Sequence, residues 1–138
     1  FGGLYVDGNA ISPVTAAKVG AVVRVAGGRF SDGGIIGPPP RKSGSTRMYL
    51  SGAHAAEAAT VFTGSALETI VMDGPQEAAS SIKMCYAAWS KGSTALLTDI
   101  RALAGALHLE AERGKQCVGG VIISPAGARF IVTIETVL

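Results

Sequence analysis

Large rings and charges are both scarce in this 138-residue chain: aromatic residues make up 6% and charged residues 16%. A core built with so few rings must rely on small and branched side chains in closely packed layers. Only two cysteines occur, Cys85 and Cys117, too few for a disulfide framework and consistent with a reducing cytoplasm. The net charge is +2 with both signs spread along the chain. No basic block is present to track a phosphate backbone, so a nucleic-acid partner is not expected. No apolar stretch reaches the roughly 18 residues of a membrane span, and no charged-then-apolar leader appears. Neither a Gly-x-Gly-x-x-Gly turn after a strand nor a Walker loop occurs. His54 and His108 stand apart, without the Cys, His or carboxylate spacing of a metal site, so no metal is expected. Nineteen glycines and a hydrophobic share of 48% remain, in a length that fits one domain with a buried core.

Glycine and proline punctuate the first half into short elements. Leu4 to Asp7 reads as a strand ending in the turn Gly8-Asn9. Ser12 then offers a capping oxygen, and Pro13 sits where its missing N–H costs nothing. Thr15 to Ala26 carries Ala16, Val19, Val22, Val23 and Ala26 at helical spacing, and Gly27-Gly28 stops it. Arg29 to Ile36 reads as a strand broken by Gly33-Gly34, and a loop rich in proline follows through Gly44. Thr46 to Leu50 alternates like a strand. Ala53 to Phe62 reads as a helix closed by Gly64, and Glu68 to Met72 as a further strand. This order predicts an α/β fold.

From Pro75 to about Arg113 no proline interrupts, and Ile82, Cys85, Trp89, Leu96, Ile100, Leu103 and Leu107 recur at helical spacing. Asp73-Gly74-Pro75 supplies a start, and Glu77 lies where the helix dipole favours an anion. A kink near Gly92 or Gly105 stays open. Such a helix cannot bury its apolar surface on a small α/β layer, so it is expected to pack on another domain or subunit. Val118 to Ser124 and Phe130 to Val137 read as a hairpin around Pro125-Ala126-Gly127-Ala128.

Lys83 is the most informative side chain, a cation among small and apolar neighbours. Loss of hydration favours the neutral amine that an acid/base catalyst needs. The plainer alternative is a lysine that snorkels from a solvated helix face. Asp32 reads as a turn cap, or as a strand-end carboxylate facing a cleft.

Four blocks carry a resemblance: Tyr5-Val6-Asp7-Gly8-Asn9-Ala10-Ile11-Ser12-Pro13, Phe30-Ser31-Asp32-Gly33-Gly34-Ile35-Ile36-Gly37, Thr46-Arg47-Met48-Tyr49-Leu50-Ser51-Gly52, and Ile82-Lys83-Met84. Together, and in this order, they resemble the β-hydroxyacid dehydrogenases, which include 6-phosphogluconate and 3-hydroxyisobutyrate dehydrogenases. A subgroup with an uncharacterised C-terminal domain is the nearest likeness, through Tyr86-Ala87-Ala88-Trp89 and Lys91-Gly92. The resemblance covers roughly residues 4 to 110. It departs from the classical enzymes where their asparagine four residues after the lysine is Ala87, and their glycine six before it is Glu77. These departures leave the substrate open.

The resemblance implies the later strands and helices of a Rossmann-like domain followed by a long interdomain helix. Residues 1–73 would complete the nucleotide and substrate domain, 74–113 would open the helical domain, and 114–138 would be a tail. The nucleotide fingerprint would lie upstream. The activity implied is hydride transfer from a small anionic hydroxy acid to NADP or NAD, in a cytoplasmic homodimer. Lys83 would be the general acid/base. Asn9 would contact substrate and cofactor, and Gly33, Gly34, Gly37 and Arg47 would contact substrate. Arg41 and Lys42 lie beside that glycine loop. The alternative is a non-catalytic α/β remnant, truncated or frameshifted, that associates at most through its long helix.

Overall fold

Ser12 starts the first helix as its place before Pro13 predicts, accepting from the Thr15 N–H at 3.2 Å. Helix α1 runs Pro13–Val25 and stops at Gly27, whose φ of +76° is a left-handed conformation that glycine adopts without penalty. The computed structural model describes residues 2–106, 117–118 and 121–122. Strand β1 (Leu4–Asp7) precedes α1. After it come β2 (Arg29–Ile36), β3 (Arg47–Ser51), α2 (Ala55–Val61), β4 (Glu68–Val71) and α3 (Ala78–Ala106). The α/β order expected from the sequence is the order found.

The four strands form one sheet in the order β1-β2-β3-β4. β1 and β2 are parallel with Asp7 beside Asp32, and β2 and β3 are antiparallel with Asp32 beside Ser51. β3 and β4 are parallel, with Leu50 beside Val71. Asp7, Asp32 and Ser51 therefore lie in a row across three strands. β1 ends at this row, and β2 continues past it, paired with β3 alone.

Alternation along the strands sends side chains to two faces. One face carries Met48 and Leu50, which cluster with Ala55 and Ala58 of α2; Leu4, Val6, Phe62 and Leu67 pack around them. The opposite face carries Phe30, Asp32, Gly34 and Ser51. Phe30 is buried against Gly20 of α1, where a β carbon would stand 2.8 Å from the ring. Small residues fill in around these larger side chains: Ala16, Ala55, Ala58 and Ala79 are all buried.

Several expectations are corrected. Gly33-Gly34 does not break β2, which is continuous over 8 residues; the glycines are accommodated because both neighbours press against them. Helix α3 runs 29 residues through Gly92 and Gly105 without a break, since nothing crowds either glycine and a helix tolerates isolated ones. It begins at Ala78, and residues 107–113 of the expected helix lie outside the described residues. Val22 and Val25 of α1 face outward at 70% and 91% exposure, and the buried positions of that helix are Ala16 and Gly20. Helical spacing of valines alone did not show which stripe faces the sheet.

The chain divides into two compact units, Phe1–Ser93 and Thr94–Leu138. The first holds the sheet, α1, α2 and the opening turns of α3. In the second, beyond the end of α3, Cys117–Val118 pairs antiparallel with Val121–Ile122, Cys117 opposite Ile122. Of the expected strand Val118 to Ser124, Val118 lies opposite Val121 in this pairing; residues 119–120 and 123–124 lie outside the described residues. Phe130 to Val137, expected as the partner strand, lies outside the described residues. No helix among the described residues is long and apolar enough to cross a membrane.

Candidate active site

The polar face of the sheet is where α3 begins. Ala79 and Ser80 are among the first residues of that helix, whose early N–H groups have no partner within it. The sheet supplies both acceptors. Ser51 Oγ accepts from the Ala79 N–H at 2.9 Å and donates to the Gln76 carbonyl at 2.8 Å. Asp32 Oδ2 accepts from the Ser80 N–H at 2.7 Å, and Asp32 Oδ1 accepts from Ser80 Oγ at 2.7 Å. Neighbouring positions on β2 and β3 thus cap successive residues of one helix. Asp32, Ser51 and Ser80 are each fully buried.

A carboxylate is well placed beside a helix N-terminus, but burying it is costly. Burial pushes the Asp32 pKa above its ordinary value; the hydrogen bonds from Ser80 work against that rise, and the carboxylates of Asp7 and Glu77 add to it. Asp7 is itself buried, and its Oδ1 accepts from the backbone N–H of Asn9 at 2.9 Å and from Asn9 Nδ2 at 2.7 Å.

Lys83 lies one helical turn beyond Ser80. Its side chain is half-buried, and Nζ donates to the carbonyl of Ile35, near the end of β2. Helix and strand approach closely enough for this only because residue 34 is glycine. A β carbon there would lie 2.6 Å from the Ala79 carbonyl and 3.1 Å from Cβ of Lys83. Gly33 faces the other way, where a β carbon would lie 2.6 Å from the Asp7 carbonyl and 2.8 Å from Cε of Met48. Gly37 has a φ of +129° and stands against Ser45 and Thr46. At all three, the close neighbour admitted by the missing side chain is the protein's own backbone.

The sequence-derived candidates are brought together unevenly. The turn after β1 reaches the end of β2, since a β carbon on Gly8 would stand 3.6 Å from Cδ1 of Ile35. That contact is with the Ile35 side chain, on the Met48 side of the sheet, whereas Lys83 reaches the Ile35 carbonyl from the α3 side; Asn9 is exposed in the turn and bonded to Asp7. Arg47 lies across the register from Ile36, yet its Nε donates to Glu68 Oε2 of β4 at 3.1 Å. Its charge is engaged within the sheet. Arg41 and Lys42 are exposed in the loop between β2 and β3. Among the described residues no group of His, Cys, Asp and Glu is arranged to hold a metal.

Local sequence reading missed the pair Asp32 and Ser80 and the part played by Ser51. Their partners lie 48 and 28 residues away, beyond any local capping pattern. The one signal was negative: the start of α3 shows no Ser, Thr, Asp or Asn where a local cap would stand.

No protein-family model and no curated protein matches the chain. Solved structures do. One is a conserved protein of unknown function, described as structurally similar to 3-hydroxyacid dehydrogenases. It is 34% identical with a TM-score of 0.63, over 79% of this chain and 41% of that one. An imine reductase variant from Myxococcus stipitatus, in complex with NAD+, is 20% identical with a TM-score of 0.61, over 80% of this chain and 40% of that one. A conserved hypothetical protein from Sinorhizobium meliloti 1021 is 24% identical with a TM-score of 0.60, over 74% of this chain and 34% of that one. The chain thus spans well under half the length of each. The sheet and its long helix form an α/β fold of the dehydrogenase-like kind.

Proposed function

We propose that this chain is a portion of an NAD(P)-dependent oxidoreductase that transfers hydride from a small anionic hydroxy acid, with Lys83 as general acid/base. The observation that carries the reading is the Lys83 amine, held on the Ile35 carbonyl near the end of β2. Support comes from the 34% identical structure described as similar to 3-hydroxyacid dehydrogenases. An NAD-bound neighbour of the same fold makes a nicotinamide the natural hydride acceptor.

The residues present suit the reactive end of such a cofactor. Asn9 is exposed, and its amide offers both a donor and an acceptor to a carboxamide or a hydroxyl. No glycine-rich pyrophosphate turn lies in this sequence, so the remainder of a longer protein would provide it. The nicotinamide would supply a two-electron acceptor. The chain's own task is proton transfer: neutral Nζ of Lys83 takes the hydroxyl proton as the carbon gives up hydride, leaving a carbonyl and an ammonium. In the reverse direction the ammonium returns that proton. Ile35 holds the amine in place meanwhile, and Arg41 and Lys42 are free to attract the substrate's carboxylate. Gly33, Gly34 and Gly37 shape the strand end at which the substrate would sit, and Arg47 flanks it. A cytoplasmic location suits the free, exposed Cys85.

In this reading residues 1–73 complete the nucleotide domain, 74–113 open a helical domain, and 114–138 form a tail. A homodimer through α3 suits its exposed face. Trp89, Leu96 and Leu103 are 66%, 61% and 60% exposed and recur every seven residues, the period of helices that pair. The same stripe favours a second reading, in which the chain is a non-catalytic α/β remnant that only associates through this helix.

The Lys83 variant separates them, and a cofactor titration tests where the pyrophosphate site lies. In the full-length enzyme Lys83→Ala should slow turnover severely, and unchanged turnover would remove Lys83 from the mechanism. Titrating the isolated chain with NADPH while following cofactor fluorescence should give no saturable binding; micromolar affinity would refute the assignment of the pyrophosphate site to residues elsewhere.

A further inference from the structure

The clamp and the amine lie on the same pair of elements, three residues apart on each. Asp32 holds Ser80, and the Ile35 carbonyl holds Lys83. Gly34 sits between the two contacts and lets the helix lie directly on the strand. A single hydrogen bond would leave the helix free to roll about its axis. Asp32 instead spends both carboxylate oxygens on one residue, from its backbone N–H and its hydroxyl, and two bonds to one residue restrain rotation as well as distance. Lys83 projects from the next turn, so any roll at Ser80 would carry the amine off the Ile35 carbonyl. Ser51 restrains the preceding residue from the neighbouring strand.

We infer that Asp32 is a positioning residue. Through its paired bonds to Ser80 it fixes the rotation of α3 over β2, and so sets where the Lys83 amine stands at the end of the strand. The inference gains functional meaning from the reading of Lys83 as the working amine, but its test involves neither substrate nor cofactor.

The measurement is the rate at which Lys83 of the whole chain is acetylated by a limiting acyl donor, quantified by peptide mass spectrometry. Lys18, Lys42 and Lys91 in the same sample serve as internal references. Asp32→Ala removes both acceptors and should raise the Lys83 rate relative to Lys91 about fivefold, the size of one net hydrogen bond. Asp32→Asn keeps an acceptor and the shape, and should return the rate to within about twofold of the parent chain. A general loosening of the fold would move all the lysines together and would not be rescued by asparagine, so that pattern overturns the inference. Should Asp32→Ala fail to fold, Ser80→Ala removes one of the two bonds and should give an increase in the same direction. A Lys83 rate unchanged in the folded variants would overturn it too. Failure of the hydride-transfer reading is a separate event, seen as retained turnover in Lys83→Ala while these acetylation rates still follow Asp32.

Discussion

The two faces of the sheet are held by different physics. Toward α2 the contacts are apolar: Met48, Leu50, Ala55 and Ala58 share a core with Leu4, Val6 and Phe62. Toward α3 they are directional, with Asp32, Ser51, Ser80 and Gln76 joined by hydrogen bonds between buried groups. Apolar burial is non-directional and tolerates small shifts of one element over another. Hydrogen bonds fail steeply with angle, so they suit a helix whose side chains must be placed and not merely kept. The apolar face supplies stability, and the polar face supplies geometry.

That contrast can be broken first on the apolar side. Leu50 is fully buried, and Leu50→Ala should cost about 2–5 kcal/mol in urea unfolding. The Lys83 acetylation ratio should stay at its parent value wherever the variant is folded. A coupled change would show that the two faces are not separable. On the polar side, Gly34→Ala places a methyl 2.6 Å from the Ala79 carbonyl and should cost about 1–3 kcal/mol. Unlike Leu50→Ala, it should also raise Lys83 reactivity, because the helix must lift from the strand.

Ser51→Ala is smaller, leaving the Ala79 N–H without its acceptor. A loss of about 1–2 kcal/mol is expected by the same unfolding measurement. A value near zero would mean that water replaces the hydroxyl at that helix end.

The weakest expected effect is a slope with pH. Burial raises the Asp32 pKa above the ordinary carboxylate value of 3.8, and Asp7 on β1 and Glu77 before α3 reinforce the shift against the bonds from Ser80. The folded chain therefore keeps this proton at pH values where the unfolded chain has released it. Its contribution to stability is largest below the unfolded value and declines as pH rises through the raised one. Asp32→Asn should flatten that decline, seen as the difference between parent and variant urea midpoints from pH 4 to 7. A difference that does not vary with pH would refute the assignment.

Much of this was legible from the residues, and what was missed has a physical pattern. Ser12, Pro13 and Gly27 marked α1 because helix ends are written locally. The succession of strands and helices along the chain followed from glycine and proline punctuation, but their order in the sheet did not. Gly33 and Gly34 misled because a glycine pair usually ends a strand, whereas here backbone from β1 and α3 occupies the space their side chains would take. The valines of α1 misled because spacing defines a stripe but not its partner. Lys83 drew notice by its setting. Asp32 reads locally only as a turn cap or a cleft-facing carboxylate, because its partner Ser80 lies 48 residues away and only the folded chain makes them neighbours.

The central claim is that the amine of Lys83 does proton work at the end of β2. Lys83→Met in the full-length enzyme keeps the stem that packs over Gly34 and removes only the amine. Single-turnover hydride transfer, followed by nicotinamide absorbance, should fall by about 10²–10⁴-fold with substrate affinity little changed. A rate equal to that of the parent enzyme would contradict the account.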